Sequence, residues 1–132
     1  MARRSPKPRS VSSQCPCGRG AYSECCGPLH DGKPAADPEA LMRSRFSAYA
    51  LDKSDYVLRT WHPSTRPPAV DGDPGLRWTR LHVLGHDGGG VFDAEGTVEF
   101  RAHYVDGGQP GVMAEKSRFV RHDGRWVYQG PL

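Results

Sequence analysis

The chain has 132 residues, 36% of them hydrophobic and 25% charged, with 16 glycines and 12 prolines, a composition for one small, turn-rich domain with a short appendage. Its formal charge is +3, but Arg3, Arg4, Lys7 and Arg9 all precede residue 10, and taking those four away leaves residues 11–132 at −1, so the folded part is not a polyanion-binding surface by net charge. No apolar run approaches a membrane span, and the positive residues before Ser13 have no hydrophobic stretch behind them, which argues against a secretory leader and for a cytoplasmic location.

Residues 1–13 read as a disordered, solvated basic leader, the one part of the chain suited to nucleic acid. Residues 14–36 form a cysteine module and its connector. All four cysteines fall here, as Cys15-x-Cys17 and Cys25-Cys26, with Gly18 to Glu24 between the pairs. Two such knuckles supply the four soft ligands of a tetrahedral Zn²⁺, and Gly18, Gly20 and Gly27 let the backbone turn around the sulfurs. Four protein ligands leave no open coordination position, so the expected zinc is structural rather than catalytic. The competing use of an even cysteine count is a pair of disulfides. Bonding within a knuckle closes a small strained ring, and bonding across needs an oxidising compartment. Tyr22 and Arg19 offer a stacking ring and a charge, but Glu24 cancels the charge and four thiolates on Zn²⁺ bring the site to about −2, which favours a protein partner over RNA.

Residues 37–132 form the main domain. Asp37-Pro38-Glu39 is a helix start, with an acceptor at the cap, proline in the first turn and a carboxylate near the positive end. Leu41, Met42, Arg45, Phe46 and Tyr49 follow at helical spacing, predicting a helix over 38–51 with one mostly apolar stripe. Ser54 is the expected cap of a second helix that runs to Thr60 and stops before Pro63. The prolines of 64–75 predict an irregular loop.

Beyond the loop, short runs punctuated by glycine predict a sheet. The first strand, 76–84, has Thr79, Leu81 and Val83 on one face and Trp78, His82 and Leu84 on the other. A turn at 87–90 leads to a strand over 97–105 with Val98, Phe100, Ala102 and Tyr104 facing one way. Asp106-Gly107-Gly108 turns into a third strand over 112–121, and Asp123-Gly124 is a tight hairpin signal before a fourth at 126–129. Helices followed by an antiparallel meander define an α+β domain. Trp61, Trp78 and Trp126 are expected to supply core bulk. Of the histidines, His82, His86 and His103 belong to the sheet and its edge and His30 and His122 to loops, solvated or hydrogen-bonded rather than ligating.

The run around the cysteines resembles the SEC-C motif, a zinc-binding pattern of Cys-x-Cys, about eight residues, then Cys-Cys or Cys-His; here seven residues intervene. The stretches Leu41-Met42-Arg43-Ser44-Arg45-Phe46-Ser47-Ala48-Tyr49, Thr60-Trp61-His62-Pro63-Ser64-Thr65, Val98-Glu99-Phe100-x-Ala102, Glu115-x-Ser117-Arg118-Phe119 and Trp126-x-Tyr128 resemble the YchJ (UPF0225) family, in the same order and over residues 15–130. That resemblance implies a nuclear transport factor 2-like (NTF2-like) cone, a bent sheet wrapped over helices, preceded by a small zinc-knuckle module. Such cones host dehydratases, isomerases and non-catalytic binding domains, so the fold does not select an activity.

If Phe119 faces the core, period-two alternation turns Ser117 and Glu115 toward the helices as well. A carboxylate there needs a partner, and Arg43, Arg45 and His62 are the candidates. In one reading Glu115 pairs with an arginine and fastens helix to sheet. In the other, Glu115 and His62 are acid/base groups of a small-molecule lyase or isomerase, with Arg45 and Ser117 positioning an anionic or carbonyl substrate. No nucleophile, cofactor loop or second carboxylate accompanies them. The sequence therefore favours a binding or interaction domain with a structural zinc, and the enzyme is the alternative.

Overall fold

The computed structural model describes residues 13–70 and 72–132, so the basic leader lies outside the described residues except for Ser13. A 3₁₀ turn at Tyr22–Glu24 leads into α1 (Cys26–His30), followed by α2 (Pro38–Ala50), α3 (Ser54–Arg59) and four strands, β1 (Leu76–Gly88), β2 (Glu95–Asp106), β3 (Gln109–His122) and β4 (Arg125–Pro131). The strands form one antiparallel sheet in the order β1-β2-β3-β4, the α+β meander expected from the sequence. No helix among the described residues is long and apolar enough to cross a membrane.

The start of α2 is as expected: the Asp37 side chain accepts from the Ala40 amide at 2.8 Å, with proline in the first turn. The start of α3 differs, because Lys53 occupies the cap position, Ser54 is already helical and no side chain caps this end. After α3 the chain pairs with the last strand. His62 donates its amide to the Tyr128 carbonyl and Tyr128 donates to Thr60, both at 2.8 Å, which seats Trp61 against the sheet.

Both short hairpins use two residues with positive φ, Gly107 and Gly108 at +57° and +86°, and Asp123 and Gly124 at +52° and +79°, the backbone twist that matches the flanking strands. The first strand extends beyond the expected limit to Gly88, and the turn expected at 87–90 moves outward accordingly.

The alternation expected along β1 does not hold. Trp78 pairs with Tyr104, but the next paired residue is Arg80, opposite His103, so Thr79 is an extra residue at a β-bulge. The bulge places Trp78 on the same face as Leu81, whose partner is the inward Ala102. A second irregularity falls between Val83 and Gly85 and leaves Leu84 half exposed.

The wrapped face of the sheet packs on α2, and the core joins Leu41, Met42 and Phe46 of the helix to Leu81, Val98, Phe100, Ala102, Phe119 and Trp126 of the sheet. Cys15, Cys17 and Cys26 belong to that same core rather than to a separate one. For that reason α2 is buried over far more than a stripe. Ser44, Ser47 and Ala48 each have 0% exposure, because the cysteine module covers a side of the helix that the sheet does not reach.

Candidate metal centre and cone cavity

The cysteine loop closes through the amide of Cys15, which donates to the Gly20 carbonyl at 2.7 Å, and that of Gly18, which donates to Cys15 at 2.8 Å with φ at +85°. Gln14 and Ala21 then pair as a bridge. The second knuckle lies at the start of α1, with Cys25 as its cap. This arrangement brings all four sulfurs within 4.8 Å of one another. Cys17 and Cys25 lie 3.5 Å apart and Cys25 and Cys26 3.9 Å. A zinc–sulfur bond of about 2.3 Å implies tetrahedral edges of about 3.8 Å, so the donor set fits such an ion. No disulfide joins the four thiols.

The groups around the sulfurs fit a thiolate cluster. Ser47 Oγ lies 3.3 Å from Cys15 Sγ and donates to Cys26 Sγ at 3.4 Å. The thiols are unequal: hydrogen bonds from Cys17 and Cys26 pull Cys15 far down, the bond to Cys15 pushes Cys26 far up, and burial raises Cys25. Arg43 donates to the Cys17 carbonyl at 3.1 Å, and Arg43 and Arg19 share Glu39 at 3.0 Å each. The expectation that Glu24 cancels Arg19 is therefore corrected, because Glu39 takes that role. His86 lies 3.9 Å from the same carboxylate.

His30, expected in a loop, instead ends α1 and is 8% exposed. Its Nδ1 lies 2.6 Å from the Tyr22 hydroxyl and its Nε2 2.8 Å from the Ser44 carbonyl. A carbonyl can only accept, so Nε2 carries the hydrogen and Nδ1 accepts from Tyr22. Burial pushes the imidazole below its ordinary value, in keeping with this neutral tautomer.

Between α2 and the sheet lies a cavity of about 240 Å³ lined by residues including Phe46, Phe100 and Phe119, which border it without filling it. Arg45, Glu115 and Ser117 are all in the lining, together with Trp61, Trp78, Tyr49 and Tyr128. Glu115 does not make the arginine pair expected of it. Its Oε2 accepts from Ser117 Oγ at 2.5 Å and from Tyr128 Oη at 2.8 Å, both on the sheet. Arg45, 5% exposed, donates to the Val57 carbonyl at 2.7 Å and Thr60 Oγ1 at 2.8 Å. Its guanidinium carbon lies 5.0 Å from the Trp61 ring centre and 4.5 Å from that of Tyr128. Burial lowers Arg45 to about 10, still charged at neutral pH, and burial together with the Glu115 hydrogen bond raises Tyr128.

His62 is not part of this lining. Its Nδ1 accepts from the amide and hydroxyl of Ser64 at 3.0 and 2.8 Å, and its ring meets that of His122 at 5.0 Å. The structure thus gathers Arg45, Glu115 and Ser117 and leaves His62 aside. Sequence reasoning missed Tyr128 and Ser47. The Trp126-x-Tyr128 pattern marks the first, and nothing local marks the second. Trp126 is core bulk as expected, whereas Trp61 and Trp78 form cavity walls.

Comparison with known proteins agrees with this architecture. The family model described as "YchJ, middle NTF2-like domain" matches residues 37–131. A UPF0225 protein of Streptomyces coelicolor is 52% identical over 86% of this chain and 90% of its own length. One from Chromobacterium violaceum is 50% identical over 94% and 96%. The solution structure of a SEC-C motif containing protein from Rhodopseudomonas palustris superposes with a TM-score of 0.78 at 38% identity, covering 91% of this chain and 98% of that one. The crystal structure of another from Psychrobacter arcticus gives 0.75 at 27%, covering 92% and 83%.

Proposed function

The chain belongs to the YchJ (UPF0225) family, with an NTF2-like domain, and from that premise we propose that it is a cytoplasmic binding or interaction protein whose N-terminal module is fastened to the cone by one structural zinc ion. The observation that carries this reading is the convergence of Cys15, Cys17, Cys25 and Cys26 within 4.8 Å in the same core as α2 and the sheet. Zinc bound there would stabilise the fold, since a preformed four-sulfur site does not exist in the unfolded chain and binding energy becomes folding energy. Free thiols suit a reducing compartment, and the exposed side of the module is the surface for a protein partner.

The enzyme reading is weaker. A lyase or isomerase needs a proton donor and acceptor at one reacting centre, and His62 turns toward Ser64 and His122 instead of facing Glu115.

Metal analysis of the purified chain tests the proposal, with an expectation of about one zinc per chain that drops sharply in Cys15→Ser and Cys26→Ser. A folded preparation free of metal, with its cysteines paired as disulfides, would overturn it.

A further inference from the structure

The cone cavity contains a group that the fold does not account for. Glu115 uses one oxygen to accept from Ser117 and Tyr128, residues of β3 and β4 that the strand pairing already joins. Its other oxygen, Oε1, accepts no hydrogen bond among the described residues, although the carboxylate borders a mostly aromatic cavity. A carboxylate oxygen left unpaired against apolar walls is unfavourable unless water or a ligand supplies the donor.

We propose that this cavity binds an uncharged, flat molecule of about nine or ten non-hydrogen atoms whose N–H or O–H donates to Glu115. Size follows from the volume: an apolar cavity of about 150 Å³ takes benzene, and the 240 Å³ here scales to a fused two-ring molecule. Flatness follows from the walls, since Phe46, Trp78, Phe100 and Phe119 present rings on opposing sides, from α2 and from the sheet. Neutrality follows from charge. Arg45 is fixed in the lining by Val57, Thr60 and two ring faces, so a cationic ligand meets Arg45 and an anionic one meets Glu115. A donor is required because the hydroxyls of Ser117 and Tyr128 are already committed to Glu115, leaving an acceptor to be filled. Met113, 37% exposed, lies at the rim and gives a path in from solvent.

The test uses the full chain and two probes of the same shape, indole, which carries an N–H donor, and benzofuran, which replaces it with a ring oxygen. Methyl resonances of Ala102 and Met113 report occupancy of the cavity, and metal content measured on the same sample keeps this result separate from the zinc proposal. Saturable shifts at both methyls are expected with indole, with affinity about tenfold above that for benzofuran, the ratio that one hydrogen bond to a charged group supports. In Glu115→Gln, whose amide can turn its own donors toward the ligand, the ratio is expected to fall toward one while benzofuran affinity is unchanged. The methyl spectrum without probe shows whether that variant is folded, and the comparison of the two probes on the unaltered chain does not depend on it. Equal binding of the two probes, no binding of indole up to its solubility, shifts confined to residues outside the cavity, or an unchanged ratio in folded Glu115→Gln would each overturn the proposal.

Discussion

The hydroxyl of Ser47, fully buried on α2, lies 3.3 Å from the sulfur of Cys15, and so links the longest helix of the cone directly to the cysteine cluster. The same hydroxyl donates to Cys26 at 3.4 Å. Both knuckles are therefore held against one side chain that is not itself a ligand.

Ser47→Ala removes that support without touching a cysteine. Groups that orient metal ligands typically change affinity by about 10- to 100-fold, and zinc affinity measured by competition with a chromophoric chelator is expected to fall by about tenfold at the low end of that range. Unchanged affinity would mean that the contact is packing alone.

His30 sets a pH dependence. Burial holds its folded value below the ordinary 6.5, so on acidification the unfolded chain takes up a proton that the folded chain refuses. The contribution to stability is complete above pH 6.5 and declines as pH falls from there toward the lower folded value. The urea midpoint of the unaltered chain should therefore drop between pH 7 and pH 5.5 more than that of His30→Gln, whose uncharged amide does not titrate. Parallel slopes would remove His30 as the cause.

Asp37→Ala tests the helix cap. Loss of the bond to the Ala40 amide is expected to lower stability by about 1 kcal/mol, read as a shift in urea midpoint. Zinc affinity should stay constant, because the cap lies at the end of α2 and the sulfurs meet the middle of it.

Gly96→Ala probes a close approach at the mouth of the first hairpin. A methyl at Gly96 would stand 2.8 Å from the Gly89 nitrogen, 2.9 Å from its Cα and 3.0 Å from Pro38 Cγ. Backbone and a proline ring cannot yield cheaply, so a loss of about 1–3 kcal/mol is expected. Gly85→Ala in the same sheet, with no atom within 4 Å of the added methyl, is the control and should change stability by less than about 0.5 kcal/mol.

Much of the fold is legible in the sequence because its signals are local. The Asp37 cap, the spacing along α2 and the paired positive-φ turns at Gly107-Gly108 and Asp123-Gly124 each depend on a few neighbouring residues. The β1 alternation misleads because a bulge is set by the partner strand. Only the pairing of Trp78 with Tyr104 and of Arg80 with His103 reveals that Thr79 is the extra residue.

By itself the sequence determined the four sulfur ligands and the common face of Glu115, Ser117 and Phe119, since knuckle spacing and strand period are properties of the chain. Tertiary structure alone decided what those groups meet. It turned Glu115 to two hydroxyls instead of an arginine, placed Arg45 between Trp61 and Tyr128, set His62 apart and buried Ser47 against the sulfurs. Burial and hydrogen-bond partners arise where distant segments pack, and a serine on a helix shows no sign of the surface that will cover it until the N-terminal module folds onto that side.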